Sequence, residues 1–130
     1  MKIPFPTISD VLAVRNHMYI CIKEGQEKEF VKCQSLKPYH LRRGSQPIIR
    51  VIEVNDASRN PFKNKTIIDC DKKFEINGIT IPTDLLCTIR PDVCNELFQD
   101  VVSSLSHSNL HNYVLPADEV AHINSRIGTI

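Results

Sequence analysis

The hydrophobic period of this chain changes once, and that change restricts the fold more than any single motif does. Up to about residue 90 the apolar residues fall in short β-branched runs separated by turn formers, whereas from Pro91 onward they recur at intervals of four. Pro4, Pro6, Thr7, Ser9 and Asp10 make an extended or turning entry. Residues 18–22 (Met-Tyr-Ile-Cys-Ile) read as a well-buried strand, 23–28 as a charged hairpin turn containing Gly25, and 30–36 as the returning strand. The stretch 37–47, with two prolines and a glycine, reads as a solvated loop. Residues 48–54 (Ile-Ile-Arg-Val-Ile-Glu-Val) give the strongest strand signal, and 66–70 and 73–76 read as further strands beyond a turn-rich segment. Asn77-Gly78, between Phe-Glu-Ile and Ile-Thr-Ile, has the sequence of a two-residue hairpin loop.

After the change of period, Pro91-Asp92 has the composition of a helix start. Val93, Leu97 and Val101, with Cys94, Phe98, Val102 and then Leu105, make one broad apolar face that runs to about Ser106. Residues 106–113 read as a connection. A second short helix is expected over 116–126, with Asp118 and Glu119 in its first turn and Val120, Ile123 and Ile127 inward. The expectation is one α+β, mainly β domain over residues 1–130. Its β-rich, basic part (1–90) forms a small curved antiparallel sheet or SH3-like, partly closed barrel, and its acidic, helical tail (91–130) packs one or two helices on it.

No apolar run approaches the roughly 18–20 residues needed to span a bilayer, and prolines interrupt the N-terminal stretch, so no membrane partner or secretory leader is expected. Five cysteines, an odd number with no C-x-x-C pair, fit a reducing, cytoplasmic setting and read as small buried apolar side chains. The net charge of +1 hides an asymmetry. Residues 1–90 hold 15 Lys/Arg against 10 Asp/Glu, and residues 91–130 hold one against five. From Val31 to Ile52 no acidic residue occurs, while Lys32, Lys37, Arg42, Arg43 and Arg50 all do. A single-sign stretch of this kind suits a polyanion, and equally a self-association face that meets the acidic tail.

Four constellations bear on chemistry. His107-x3-His111, with His122 beyond it, has metal-ligand spacing only on a helix; Ser-Asn-Leu between the pair reads as loop, so these are read as polar surface histidines and no metal or other cofactor is expected. No cysteine has a neighbouring base in sequence to activate it as a nucleophile. Asp69 and Asp71, two apart on a strand, share one face and read as an exposed ion-pair face with Lys72 and Lys73. The fourth group, Arg15, His17, Lys32, Ser35, Lys37, Tyr39, His40, Arg42 and Arg43, combines cations, hydroxyls and an aromatic ring. Those are the groups that hold phosphates and stack on an unpaired base. Metal-free RNA cleavage also needs a base for the 2′-hydroxyl, an acid for the leaving oxygen and a cation, roles that histidine, serine and arginine fill.

Three short segments carry a resemblance. Arg15-Asn16-His17 before Met-Tyr-Ile-Cys-Ile, then Val31-Lys32-Cys33-Gln34-Ser35, then Lys65-Thr66-Ile67-Ile68-Asp69-Cys70 follow the order of motifs in the MazF/PemK (Kid-like) toxins. The chain is similar to that family over roughly residues 8–105, with Asn16 standing where the family has proline. The resemblance implies an SH3-like barrel that cleaves single-stranded RNA without a metal, often as a homodimer and with an antitoxin-like protein partner. It implies Arg15, His17 and Ser35 as the catalytic set, with Lys32, Lys37, His40, Arg42 and Arg43 binding RNA. A non-catalytic SH3-like module that binds nucleic acid or an acidic protein segment accounts for the same basic stretch.

Overall fold

Tyr19, Ile20, Phe30 and Val31 lie in two strands that turn back on one another at Gly25, whose φ of +99° suits a residue without a Cβ. These strands are β2 (His17–Lys23) and β3 (Glu27–Ser35), and the rest of the fold is assembled on them. The computed structural model describes residues 2–3, 17–87 and 89–129. Its other strands are β1 (Lys2–Ile3), β4 (Arg50–Glu53), β5 (Thr66–Asp69), β6 (Lys72–Asn77), β7 (Ile79–Thr80), β8 (His111–Leu115) and β9 (Gly128–Thr129). Two helices, α1 (Asn95–Ser104) and α2 (Ala117–Ile123), complete the described residues. The protein is mainly β with two helices, as expected. Its larger, seven-stranded sheet is mixed and stays open rather than closing into a barrel.

Alternation along β2 and β3 sends successive side chains to two separate cores. On one face Tyr19, Phe30, Phe74 and Ile76 pack with Leu115, Val120 and Ile127 from the tail. On the other Ile20, Val31, Cys33 and Ile68 pack with Leu97, Val101 and Leu105 of α1. Both sides of the sheet are therefore covered, although α1 buries a narrower face than expected, with Val102 exposed.

The second edge of β3 is divided. Glu27–Phe30 pair with β6 (Glu27↔Asn77 to Phe30↔Phe74), while Cys33–Ser35 pair with β5 (Cys33↔Ile68 to Ser35↔Thr66). Val31 and Lys32 are left at the fork. The chain crosses from β5 to β6 through Cys70 and Asp71, and Asp69 holds this join. Only 2% exposed, Asp69 accepts the Asp71 N–H on Oδ1 at 2.9 Å and lies 3.4 Å through Oδ2 from the Lys72 ammonium. The Asp71 carboxylate accepts the backbone N–H groups of Ile48 and Ile49 at 2.6 and 2.8 Å, which fixes the entry to β4. The two aspartates thus hold the join together and do not form an exposed ion-pair face.

Three other expectations change. Asn77-Gly78 does turn the chain, with Gly78 at φ +77° and its N–H on the Gln26 carbonyl, but β7 does not fold back on β6. Both edges of β6 are already occupied, by β3 and by the parallel strand β8, so β7 pairs instead with β9 in a second, two-stranded sheet. The segment expected as a connection therefore contains a strand, and the acidic tail is not wholly helical. Helix α1 starts four residues after Pro91 because Cys94 caps it, its Sγ accepting the Leu97 N–H. The residues before it are held extended by Cys94 N–H to the Arg59 carbonyl (2.7 Å) and by the Arg90 guanidinium, which bonds both Asp92 and the Ser58 carbonyl.

The join at Asp69 gives a direct test. Asp69→Ala is expected to cost about 2–4 kcal/mol in urea denaturation, by leaving the Asp71 amide without its acceptor and the partly buried Lys72 without its counter-charge. Asp69→Asn keeps the acceptor and is expected to cost less; equal midpoints for wild type and Asp69→Ala would remove Asp69 from this role.

Candidate nucleic-acid interface

His17 opens β2, one place beyond the Met18–Cys33 pair, and Tyr19 opposes Lys32. Opposed residues share a face, so His17, Lys32 and Gln34 lie on the Tyr19 side of the sheet. Ser35, opposed by Thr66, lies on the other side with Cys33. His17 and Ser35 nevertheless meet at the end of the sheet. There a cleft of about 230 Å³ is lined by both, together with Gln34, Phe62, Lys63 and Asn64. Arg15 lies outside the described residues.

Lys32 stands at the fork of β3 and is partly buried. Burial, and then the nearby Lys72 ammonium, push its pKa below the ordinary lysine value, against the opposing pull of Asp69. Among the described residues its ammonium has no hydrogen-bond or ion-pair partner. Lys32 is also felt by both histidines. Burial first and the Lys32 charge second lower the pKa of His17; burial first and Arg50 second lower that of His40, with Lys32 contributing less. Both imidazoles are therefore biased toward the neutral form around Lys32.

The expected loop contains a 3-10 turn, Pro38–Leu41. His40 is 1% exposed, and its Nδ1 accepts the Lys37 N–H at 2.8 Å. Its carbonyl accepts from the Ser45 hydroxyl at 2.6 Å and from Arg50 Nη1 at 2.8 Å. His40 thus shapes the turn from inside rather than facing solvent. Lys37, Arg42 and Arg43 are exposed, and so is Tyr39 (54%), whose ring packs 4.2 Å, centroid to centroid, from the His40 imidazole. The outer surface of the turn is thus an aromatic ring among three cations, fixed from below by a buried histidine.

The cysteines form no disulfide among the described residues. Burial pushes the Cys33 and Cys70 thiols up to about 12, which keeps them protonated at neutral pH. No cluster of three or more His, Cys, Asp or Glu suited to a metal ion occurs among the described residues. No helix among them is long and apolar enough to cross a membrane. Comparison with protein-family models, curated proteins and solved structures gives no match. The chemistry of the surface rests on its own geometry.

The fold places His17 and Ser35 in one cleft, leaves Lys32 at the fork of β3, and carries Lys37, Arg42 and Arg43 on and beside the Pro38–Leu41 turn. It adds Lys63 to the cleft and Lys72 to the neighbourhood of Lys32. Nothing in the local pattern marks Lys63, since it falls in the turn-rich segment 55–64. The histidines carry a pH test. Their folded pKa values lie below the ordinary 6.5, so on acidification the unfolded chain takes up these protons first. Their contribution is fully present above about pH 6.5 and is lost as the pH falls through that value toward the folded pKa values. The urea midpoint is expected to drop between about pH 7 and pH 5.5, and less steeply in His40→Gln, whose amide oxygen still accepts the Lys37 N–H. An identical slope in both proteins would contradict a neutral, buried His40.

Proposed function

We propose that the protein binds single-stranded RNA, with one phosphate seated at Lys32 and the strand continuing over Tyr39, Lys37, Arg42 and Arg43. The observation that carries this is the Lys32 ammonium, partly buried, beside a second lysine and with no carboxylate in hydrogen-bond or ion-pair contact among the described residues, Asp69 acting on it only at longer range. A cation in that state gains from any anion that reaches it, and an RNA phosphate replaces the water it gave up. The exposed Tyr39 ring supplies a stacking surface that does not depend on base identity, and the flanking cations track the backbone. An unpaired strand suits this surface better than a duplex, whose bases are not free to stack on a side chain.

A second reading, metal-independent endoribonuclease action of the MazF/PemK type, is favoured by the cleft that His17 and Ser35 share. A neutral His17 is in the right form to take the 2′-hydroxyl proton, Lys32 or Lys63 would offset charge on the phosphate, and Ser35 would orient it. Arg15, two residues before His17, is the remaining member of that proposed set. An antitoxin-like or other acidic protein would meet the same cations, and homodimers would bring two such surfaces together.

Binding to a labelled, mixed-sequence single strand is expected to weaken with salt at a log–log slope of roughly −3, for about four phosphate contacts. Replacing Arg42 and Arg43 together by alanine is expected to reduce that slope by about 1.4. Salt-independent binding, or retention of an acidic peptide but no RNA, would overturn the proposal. In the same samples with EDTA, the second reading expects cleavage fragments that fall at least roughly a hundredfold in His17→Ala and disappear in Arg15→Ala. RNA that is shifted but uncut leaves the binding function alone.

A further inference from the structure

A second cleft, of about 490 Å³, lies on the same face of the sheet as Lys32, between the entry to β4 and the start of β8. The parallel pairing of β6 with β8 sets Lys72 beside His111 and Phe74 beside Tyr113, so these side chains share a face. Three rings follow in a ladder. Phe74 and Tyr113 lie with centroids 5.8 Å apart, and Tyr113 and His111 6.3 Å apart, each pair inclined by 26°. The ladder starts in the core and ends at an exposed imidazole. The amides of Gln46 and Asn109 also line the cleft, both exposed and without a hydrogen bond inside the protein among the described residues. Part of the lining is fixed, because His107 Nε2 is bonded to the Cys70 carbonyl at 2.7 Å and Asp71 holds the amides of Ile48 and Ile49.

We infer that this cleft is a subsite for one nucleobase of the bound strand, stacked on the His111–Tyr113 shelf with its edge read by Asn109 and Gln46. The inference rests on the RNA-binding function proposed above and extends it to a second site. Three features select a base over other ligands. The lining pairs one carboxylate, Asp71, with one ammonium, Lys72, and so carries no excess positive charge to call for a bare anion. Among the described residues, histidine and aspartate do not assemble into a metal-binding cluster. Two free amides, each with a donor and an acceptor, match the mixed edge of a base, and a near-parallel aromatic shelf matches its face. The volume falls within the range of small-ligand clefts. Lys72 links the two sites: it lines this cleft and stands close enough to Lys32 to lower that residue's pKa. A nucleotide whose base enters the cleft thus has its phosphate directed toward the lysine pair.

The test is titration of the full chain with each of the four ribonucleoside 5′-monophosphates, followed by the ring resonances of His111 and Tyr113. At least one nucleotide is expected to shift both at millimolar concentration, and His111→Ala and Asn109→Ala are each expected to weaken that binding roughly tenfold. Both positions are exposed, and an unchanged amide spectrum verifies that the variants are folded. Unperturbed rings with all four nucleotides, or equal binding by the variants, would overturn the subsite. If single-stranded RNA is still bound in an Arg42- and Arg43-dependent way in that case, the broader function stands without it. If nucleotides shift the rings while RNA binding ignores Arg42 and Arg43, the subsite stands and the proposed RNA path falls.

Discussion

The fold depends on one strand serving two partners. A nine-residue β3 pairs β6 with its first half and β5 with its second, so the sheet must part beyond Phe30 and rejoin through the short link between Asp69 and Lys72. A parting of this kind leaves backbone amides without ladder partners, and buried amides need acceptors. Asp69 and Asp71 provide them, one for the link itself and one for the entry to β4. The cost is negative charge at a buried position, offset in contact, among the described residues, by Lys72 and at longer range by Lys32. The lysines around the join thus belong to the architecture before they belong to any ligand.

That arrangement accounts for the distribution of polarity on the Tyr19 face. On one side of the fork the residues of β2, β3 and β6 are aromatic and aliphatic and are covered by the tail. On the other, His17, Lys32, Gln34 and Asp69 occupy the same face, and the turn carrying His40 is fixed there by its bond from Arg50. Lys32 is partly buried there, and burial first and Lys72 second lower its pKa against the opposing pull of Asp69. Structural need would have been met by a lysine paired with Asp69; the contact goes to Lys72 instead, and Lys32 is left available.

Much of the fold was legible locally. β2, β4, β5 and β6 lie where β-branched runs stand between turn formers, and Leu97, Val101, Val120 and Ile127 point inward as their spacing requires. What local pattern does not carry is choice of partner. His-Asn-Tyr-Val-Leu has two polar residues and no flanking hairpin signal, and it is a strand because β6 offers it a free edge. Asn77-Gly78 turns as its sequence dictates, yet the following strand goes elsewhere because that edge is taken. The site follows the same rule. Its cations were visible as an acid-free stretch, but Lys32 is partly buried at a fork no local pattern marks, and the His40 ring turns inward to accept the Lys37 N–H. His107 and His111 come to one cleft across a turn and a strand, not through the helical spacing that first draws attention to them.

The central claim is that single-stranded RNA lies over the Tyr39 turn and the Lys32 side of the sheet. Photo-crosslinking a 4-thiouridine-substituted single strand to the intact protein, with the attached peptides mapped by mass spectrometry, tests it most directly. The expected result is attachment within residues 37–43 and at or beside His111 and Tyr113. Attachment confined to α1 and α2, or none above that of an unrelated acidic protein, would contradict it.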